Sequence, residues 1–338
     1  MNRKADGMSK LKRYAMTLLF PIGMYIVFAV IALASGNMNF FKSYIIKGML
    51  HDTVLNTIVA LAIAIPLSGG RWDFGPGAIV MLGAIIGGNI GMSLGLGSMG
   101  ILLTCIASCI VLALVEAVLY VTLKVPNMII SLGVVMVFEA LGGLIYNGLG
   151  VNFYAADAVY LKKILAVNEM PYIFILLLVI CLAVWFLLYK TKFGYDTKSL
   201  GNNSRLAVNS GVNEKKNIIL TYVLIGALLG CAAMLNACTA KVEPLNNLSS
   251  TGLMFGSMAP VLIGLFLANF TNMPWGIFVA ALGMEVFGYG LNAFKIDASI
   301  QTIVTGVVLA LIMAYINDGA RITAFINRLF RPKTKEMA

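Results

Sequence analysis

Apolar and polar stretches alternate along this chain in a regular pattern. About ten apolar stretches, each long enough to cross a bilayer, are separated by short polar segments. An α-helix rises about 1.5 Å per residue, so roughly 20 apolar residues span the hydrocarbon core. Segments within lipid must satisfy their own backbone groups, which favours helices. The pattern predicts an all-α polytopic membrane protein with about ten transmembrane helices, near 15–35, 53–68, 77–95, 100–122, 127–147, 171–189, 217–237, 251–270, 275–291 and 299–317.

The charged residues predict the orientation of the chain. Only 11% of the residues are charged and 60% are hydrophobic, which excludes an ordinary soluble domain. The net charge of +10 does not indicate nucleic-acid binding, because the basic residues alternate between the polar segments. The polar segments on the same side as the two termini hold 18 of the 24 lysines and arginines. The polar segments on the other side hold six. The positive-inside rule then places both termini in the cytoplasm.

This orientation divides the chain into three parts. Residues 1–14 form a cytoplasmic N-terminal segment, 15–317 a transmembrane domain, and 318–338 a basic cytoplasmic tail. The longest inner connection is 190–216. Spans 7–10 follow spans 2–5 at an offset of five, an odd number, so corresponding spans cross the membrane in opposite directions. The two sets are therefore candidates for an inverted repeat, an arrangement common in transporters.

Metal chemistry finds little support in the sequence. The five cysteines contain no C-x-x-C pair, and we interpret them as small packing residues. The single histidine, His51, lies in a polar segment on the outer side, where we expect a solvated loop. We therefore predict no metal site.

The connection between spans 2 and 3 is interrupted by glycine and proline. Residues 69–77 read Gly-Gly-Arg-Trp-Asp-Phe-Gly-Pro-Gly, a composition that cannot continue a helix. An interrupted segment at membrane depth is tolerated where it lies in protein or lines a cavity. The segment therefore lines a pathway or forms an ordinary cytoplasmic turn with a solvated Arg71 and Asp73.

Three acidic residues lie inside predicted spans. They are Glu116, Glu139 and Glu285. Ionisable groups in a membrane are costly and often functional, so each is a candidate to bind a polar solute or relay protons. Hydrogen bonding to a neighbouring helix is the alternative for each of them.

The inner connection 190–216 contains signals for a short helix. Asn203 or Ser204 can cap a helix over 204–210, and Gly211 can end it. A short helix on the cytoplasmic side suits docking of a partner. The alternative is a basic loop that only sets topology.

Four motifs together resemble the ribose-type permeases of ATP-binding-cassette importers, over roughly residues 50–317. The inner connection matches the family's loop motif at Thr191, Phe193, Gly194, Gly201, Asn203, Ala207, Gly211 and Val212. The interrupted segment is similar to a second motif at Gly69, Gly70, Asp73 and Gly77. Residues 125–133 resemble a third motif, and residues 290–308 resemble the family's last two spans.

The resemblance implies an assembly and a set of sites. Members pair in the membrane, dock cytoplasmic ATPase subunits, and receive a pentose, hexose or related solute from an extracytoplasmic binding protein. It implies a multi-pass location in a bacterial inner membrane. The ATPase-coupling residues would be Phe193, Gly194, Gly201, Asn203, Arg205, Ala207, Gly211 and Val212. The pathway residues would be Gly69, Gly70, Trp72, Asp73, Phe74, Gly77, Glu116 and Glu139.

The chain departs from the family pattern around the interrupted segment. Arg71 resembles an insertion, and Trp72 and Phe74 replace aliphatic residues. Glu116 stands where asparagine is common, and Glu139 where arginine is frequent. These departures bear on the cargo rather than on the architecture.

Three functions remain to be weighed at this point. The first is an importer permease; the chain has no G-x-x-x-x-G-K-[ST], so ATP and magnesium would be used by a partner ATPase and no cofactor by this chain. The second is a proton- or sodium-coupled secondary transporter in which Glu116, Glu139 and Glu285 couple the ion. The third is a membrane enzyme, for which the sequence offers no nucleophile–base pair or cofactor motif. Whether two identical copies or two sister permeases pair is left open.

Overall fold

A computed structural model describes residues 10–36, 38–123, 125–297, 299–311 and 314. The tail 318–338, most of the N-terminal segment and the end of the last predicted span lie outside these residues. The helices are α1 (Lys10–Thr17), α2 (Leu19–Ala34), α3 (Ser43–Ser68), α4 (Pro76–Ser93), α5 (Ser98–Leu123), α6 (Asn127–Leu144), α7 (Ala158–Leu165), α8 (Tyr172–Lys190), α9 (Lys192–Asn202), α10 (Ser204–Asn209), α11 (Glu214–Thr239), α12 (Thr251–Leu267), α13 (Met273–Ala293) and α14 (Ser299–Leu311).

The predicted polytopic architecture is confirmed. Within the described ranges, eight helical segments are long and apolar enough to cross a membrane, and α12 and α14 are shorter apolar helices. These ten elements correspond to the ten predicted spans. The first span is divided into α1 and α2, with Leu18 between them. The cytoplasmic placement of the termini stays a prediction from the charge distribution.

The helix contacts have the symmetry of an inverted repeat. Helix α5 packs against α4 and α11, and correspondingly α13 packs against α12 and α3. Helix α4 also contacts α11, as α12 contacts α3. When α3–α6 are exchanged in order with α11–α14, each of these helix contacts becomes another contact that is also present. In both sets a long helix is followed by an irregular segment and then a shorter helix.

Glycines bring α4 and α11 close to α5. A Cβ added at Gly230 would overlap the backbone of Ile106, and one at Gly87 would crowd the backbone of Cys105. Small residues at such positions let membrane helices approach until their backbones touch. Cys105 and Cys109 are buried in this contact, which agrees with their interpretation as packing residues.

The expectation for His51 is wrong. Helix α3 begins at Ser43, so His51 lies within a helix rather than in a loop. Its Nε2 lies 2.8 Å from Oδ1 of Asn168, and its Nδ1 lies 3.2 Å from a carboxylate oxygen of Asp52. Tyr289 donates to the other oxygen of Asp52 at 2.6 Å. Polar residues in the outer half of α3 look like a loop in sequence, but they are paired by α13 and the outer connection.

Candidate functional site

The first irregular segment, residues 69–75, is called here the first break. It leaves α3 through a turn in which the Arg71 amide donates to the Pro66 carbonyl at 3.0 Å. Gly70 adopts a φ of +75°, in the left-handed region that glycine enters without steric cost. Pro76 then occupies the first turn of α4, where its missing amide hydrogen is no loss. The sequence therefore determines both ends of this break.

Arg71 connects the first break to α11 and to the connection 190–216. It is buried, and both of its terminal nitrogens donate to Oδ1 of Asn217 at 3.2 Å. The Asn217 amide in turn donates to Oγ1 of Thr197 on α9 at 2.9 Å. The solvated turn considered from the sequence is excluded, because Arg71 and Asp73 are both buried. A charged hydrogen-bond path instead joins the break, α11 and α9.

Asp73 and Glu116 form a buried pair of carboxyl groups. One oxygen of Asp73 accepts the Gly75 amide at 2.8 Å. The other oxygen, and both oxygens of Glu116, have no hydrogen-bond partner within the part of the chain that the structure describes. Glu116 lies against Gly75, where a Cβ would overlap its carboxyl group. Arg71 donates to Asn217, so the described residues give this costly pair no cation.

Aromatic side chains cover the outward face of the first break. Trp72 is 39% exposed, and its carbonyl accepts from Asn127 at 2.8 Å. The Phe74 amide donates to Ser131 at 3.1 Å, and the Phe74 ring lies 5.8 Å from the ring of Phe255 on α12. The backbone of the break is thus held by α6, while the Trp72 ring is exposed and the Phe74 ring is half-buried against the core.

Glu139 joins α6 to a second irregular segment, residues 240–250, called here the second break. Its two oxygens accept the amides of Leu248 and Ser250, each at 2.8 Å. Leu248 has a φ of +62°, which is unusual for a branched residue, so the Glu139 contact holds a strained backbone in place. Glu139 therefore positions the start of α12.

The two breaks meet inside the molecule. A Cβ added at Gly77 on the first turn of α4 would overlap the carbonyl of Ser250, immediately before α12. Paired interrupted segments at corresponding positions of two inverted repeats mark binding sites in many transporters. Sequence analysis missed the second break, although the polar run Lys-Val-Glu-Pro-Leu-Asn-Asn-Leu-Ser-Ser before a short span was a usable signal.

We expect Glu139 to contribute to stability through these two amides. Glu139→Leu should leave the buried Ser250 amide and the half-buried Leu248 amide without an acceptor, at about 1–3 kcal/mol for the buried one and less for the other. Glu139→Gln keeps one acceptor oxygen and should lose less. The measurement is the thermal unfolding of both variants in the same detergent, with an equal melting temperature for the two contradicting the assignment.

The predicted ATPase-coupling residues lie in and around α9 and α10. Gly194 packs against the Leu188 carbonyl, and Gly201 packs against the Ser68 carbonyl at the end of α3. The predicted cap is present: Asn203 accepts the Leu206 amide at 3.1 Å. Gly211 has a φ of +89° after the end of the helix. The remaining residues of this set are Phe193, which contacts the core, half-buried Val212, exposed Arg205 and buried Ala207.

Helix α10 presents two apolar side chains that sequence analysis did not single out. Leu206 is 64% exposed, and Val208 is also exposed. Ala207, between them, faces inward and is only 6% exposed. The exposed surface of α10 therefore includes Arg205, Leu206 and Val208, with Ala207 packed beneath them.

The remaining intramembrane acid has its own partner. The Asn56 amide on α3 donates to Glu285 on α13, and the Asn56 carbonyl oxygen accepts from Ser257 at 3.5 Å. Glu285 therefore connects α3 and α13, away from both breaks.

Comparison with known proteins gives a consistent result. A sequence model of the family described as "branched-chain amino acid transport system / permease component" matches residues 45–317. The chain is 24% identical over 285 residues to the galactose/methyl galactoside import permease protein of Haemophilus influenzae, covering 79% of this chain and 84% of that protein. It is 23% identical over 295 residues to the ribose import permease protein of Escherichia coli, covering 86% and 90%. It is 24% identical over 317 residues to the autoinducer 2 import system permease protein of Salmonella paratyphi B, covering 90% and 92%. No solved structure matches.

Proposed function

The chain belongs to the family of branched-chain amino acid transport system permease components, and we propose that its cargo is a neutral solute of monosaccharide size. It is the membrane-spanning permease subunit of an ATP-binding-cassette importer, a transport component rather than an enzyme. The relatives favour this function over an ion-coupled secondary transporter. Two of the three relatives described above are named for sugars, which supports a sugar-like cargo for this chain.

The assembly follows from the family. ATPase and binding-protein partners belong to importers of this kind. We propose that a second permease copy or a sister permease completes the membrane unit, which lies in a bacterial inner membrane. ATP and magnesium act in the ATPase, and no cofactor is proposed for this chain.

One observation carries the mechanism: the buried path from Thr197 through Asn217 to Arg71. It begins on α9, next to the exposed residues of α10, and ends in the first break. Gly201 packs against the end of α3, so α9 and the break also touch through their backbones. A displacement of α10 by the ATPase is therefore transmitted to the break without passing through lipid.

The pathway is proposed to follow the first break. The predicted pathway residues fall into three groups. Gly69, Gly70 and Gly77 allow the tight backbone contacts, Trp72 and Phe74 cover the surface, and Asp73, Glu116 and Glu139 lie behind them. The solute passes along the aromatic face, while Asp73 holds the Gly75 amide of the first break and Glu139 holds the second break.

Asp73→Ala should impair transport while leaving ATPase docking intact. The substitution removes the acceptor for the Gly75 amide, so the break loses a local restraint while α10 keeps its own cap at Asn203. We expect uptake to fall at least tenfold in membrane vesicles, with normal co-purification of the ATPase. Loss of ATPase docking instead would show that Asp73 is needed for the structure of the whole chain. Asp73→Asn keeps one acceptor and should retain more uptake than Asp73→Ala.

Purification of the tagged chain from native membranes tests the function directly. We expect mass spectrometry to find a co-purifying subunit that contains G-x-x-x-x-G-K-[ST]. Repeated purification of a well-folded chain without such a subunit would contradict the proposal. Glu116, Glu139 and Glu285 would then be the next residues to mutate.

A further inference from the structure

A cavity with several polar residues in its wall lies where the two breaks meet. Its volume is about 330 Å³, at the lower end of the range for small-molecule sites. Its walls come from the start of α4, the end of α11 and the second break. They include Gly77, Asn236, Lys241 and Ser250. Both halves of the inverted repeat therefore contribute to one cavity.

Ser250 provides an unused hydrogen-bonding group in this cavity. The residue is only 2% exposed, and its hydroxyl has no partner among the residues that the structure describes. Its amide is already bound by Glu139. Buried hydroxyl groups are almost always hydrogen-bonded, because leaving one unpaired costs free energy. The Ser250 hydroxyl, on a residue that lines the cavity, therefore needs a hydrogen-bond partner that the described residues do not supply.

The charges around the cavity are already compensated. Lys241 donates to the Glu243 carboxylate at 2.9 Å. This hydrogen bond holds the pKa of Glu243 below its ordinary value, so its carboxylate keeps its charge. Both oxygens of Glu139 accept hydrogen bonds from the amides that precede α12. A charged ligand would find no free counter-charge among these groups, whereas a neutral hydrogen-bonding ligand needs none.

The position of the cavity matches the arrival of a solute from outside. The second break follows the end of α11, which the charge distribution places on the outer side. Val242, beside the cavity, pairs with Val151 of the outer connection through two hydrogen bonds of 2.9 Å. The Lys241–Glu243 pair is the more exposed part of the lining and forms its rim. The floor is formed by Gly77 and Ser250, above the first break.

We propose that this cavity is the outward-facing binding site of the permease for a neutral, hydroxyl-rich solute, with the Ser250 hydroxyl and the Asn236 amide as its polar contacts. The assignment rests on the proposed import of such a solute. The ligand enters past the rim, occupies the junction of the two breaks, and leaves when the first break moves.

Saturation-transfer NMR tests the site, because it detects weak binding. The permease in nanodiscs is titrated with D-galactose and with D-ribose as probes. Leu253→Trp, at the edge of the cavity, should fill it and reduce the transfer to the bound sugar at least fivefold. Ser250→Ala removes only the hydroxyl. It should weaken binding about three- to tenfold, as expected for the loss of one hydrogen bond. Ser93→Ala on α4, whose hydroxyl donates to the Ile90 carbonyl, is the matched control and should have no effect.

The outcomes separate this site from the proposed function. Transfer that is undiminished in both cavity variants, or that is absent from the wild-type chain with both sugars, would overturn the site. ATPase co-purification is measured on the same samples and does not depend on the cavity. Its loss in the wild-type chain would overturn the importer assembly instead. Size-exclusion profiles test whether Leu253→Trp is folded. If this variant is not folded, the result for Ser250→Ala alone decides.

Discussion

Leu206→Glu should separate the permease from its ATPase. Leu206 is 64% exposed on α10, beside exposed Arg205 and Val208. Apolar anchors of this kind carry much of the binding energy of an interface, and a carboxylate would have to be desolvated there. We expect at least a tenfold loss of affinity for the ATPase, since each 1.4 kcal/mol is a factor of ten. The measurement is the amount of ATPase that co-purifies with the tagged variant at matched expression.

Leu149→Glu is the control for this prediction. Leu149 is 66% exposed and lies between α6 and α7, which the charge distribution predicts to be on the opposite side of the membrane from α10. It should leave ATPase binding unchanged. Equal losses in both variants would indicate a general effect of the added charge, and normal binding by Leu206→Glu would contradict our placement of the contact.

A bulky charged residue at Ala207 or Gly211 should also uncouple the ATPase from transport, but by another route. The Ala207 side chain faces inward, so a larger residue would push α10 away from its support. Gly211 has a φ of +89°, which other residues rarely adopt. Normal uptake by either variant would count against the coupling role of α10.

Arg71→Met should abolish coupling while leaving the ATPase bound. Methionine keeps most of the volume of the side chain but removes the two donors to Asn217. The two donors share one acceptor atom, and a hydrogen bond to a charged group contributes about 1.5–3 kcal/mol, so we expect uptake to fall about ten- to a hundredfold. Arg71→Lys can keep one donor and should be intermediate. The measurement compares uptake with ATPase co-purification in the same vesicles.

Asn217→Leu provides an independent check on the same path. It removes the shared acceptor and the donor to Thr197, so it should resemble Arg71→Met. The double variant should then lose little more than either single variant, because the residues act as one unit. Additive losses, or normal uptake by Arg71→Met, would contradict the path.

The local signals in the sequence predicted much of this structure. Helix α10 follows from the cap at Asn203 and from Gly211, which act within a few residues. The first break follows from Gly70 and Pro76 for the same reason. The spans follow from the cost of unsatisfied backbone groups in lipid. Each of these features depends on chemistry that is close in sequence.

The remaining features depend on contacts between distant residues. The second break looks like an ordinary outer loop, because the carboxylate that fixes Leu248 and Ser250 comes from Glu139 on α6. His51 looks solvated until Asn168 and Asp52 pair with it. The partner of Arg71 is likewise Asn217 rather than nearby Asp73. A single sequence does not show these pairings, so the roles of Glu116 and Glu139 were left open between pathway and support.

Uptake by reconstituted proteoliposomes tests the central claim most directly. The permease and its co-purifying ATPase are reconstituted with the binding protein and labelled D-galactose or D-ribose. We expect accumulation only when ATP and magnesium are supplied to the ATPase, and none from a proton or sodium gradient alone. Accumulation driven by an ion gradient in vesicles that contain the permease without any ATPase would contradict the account.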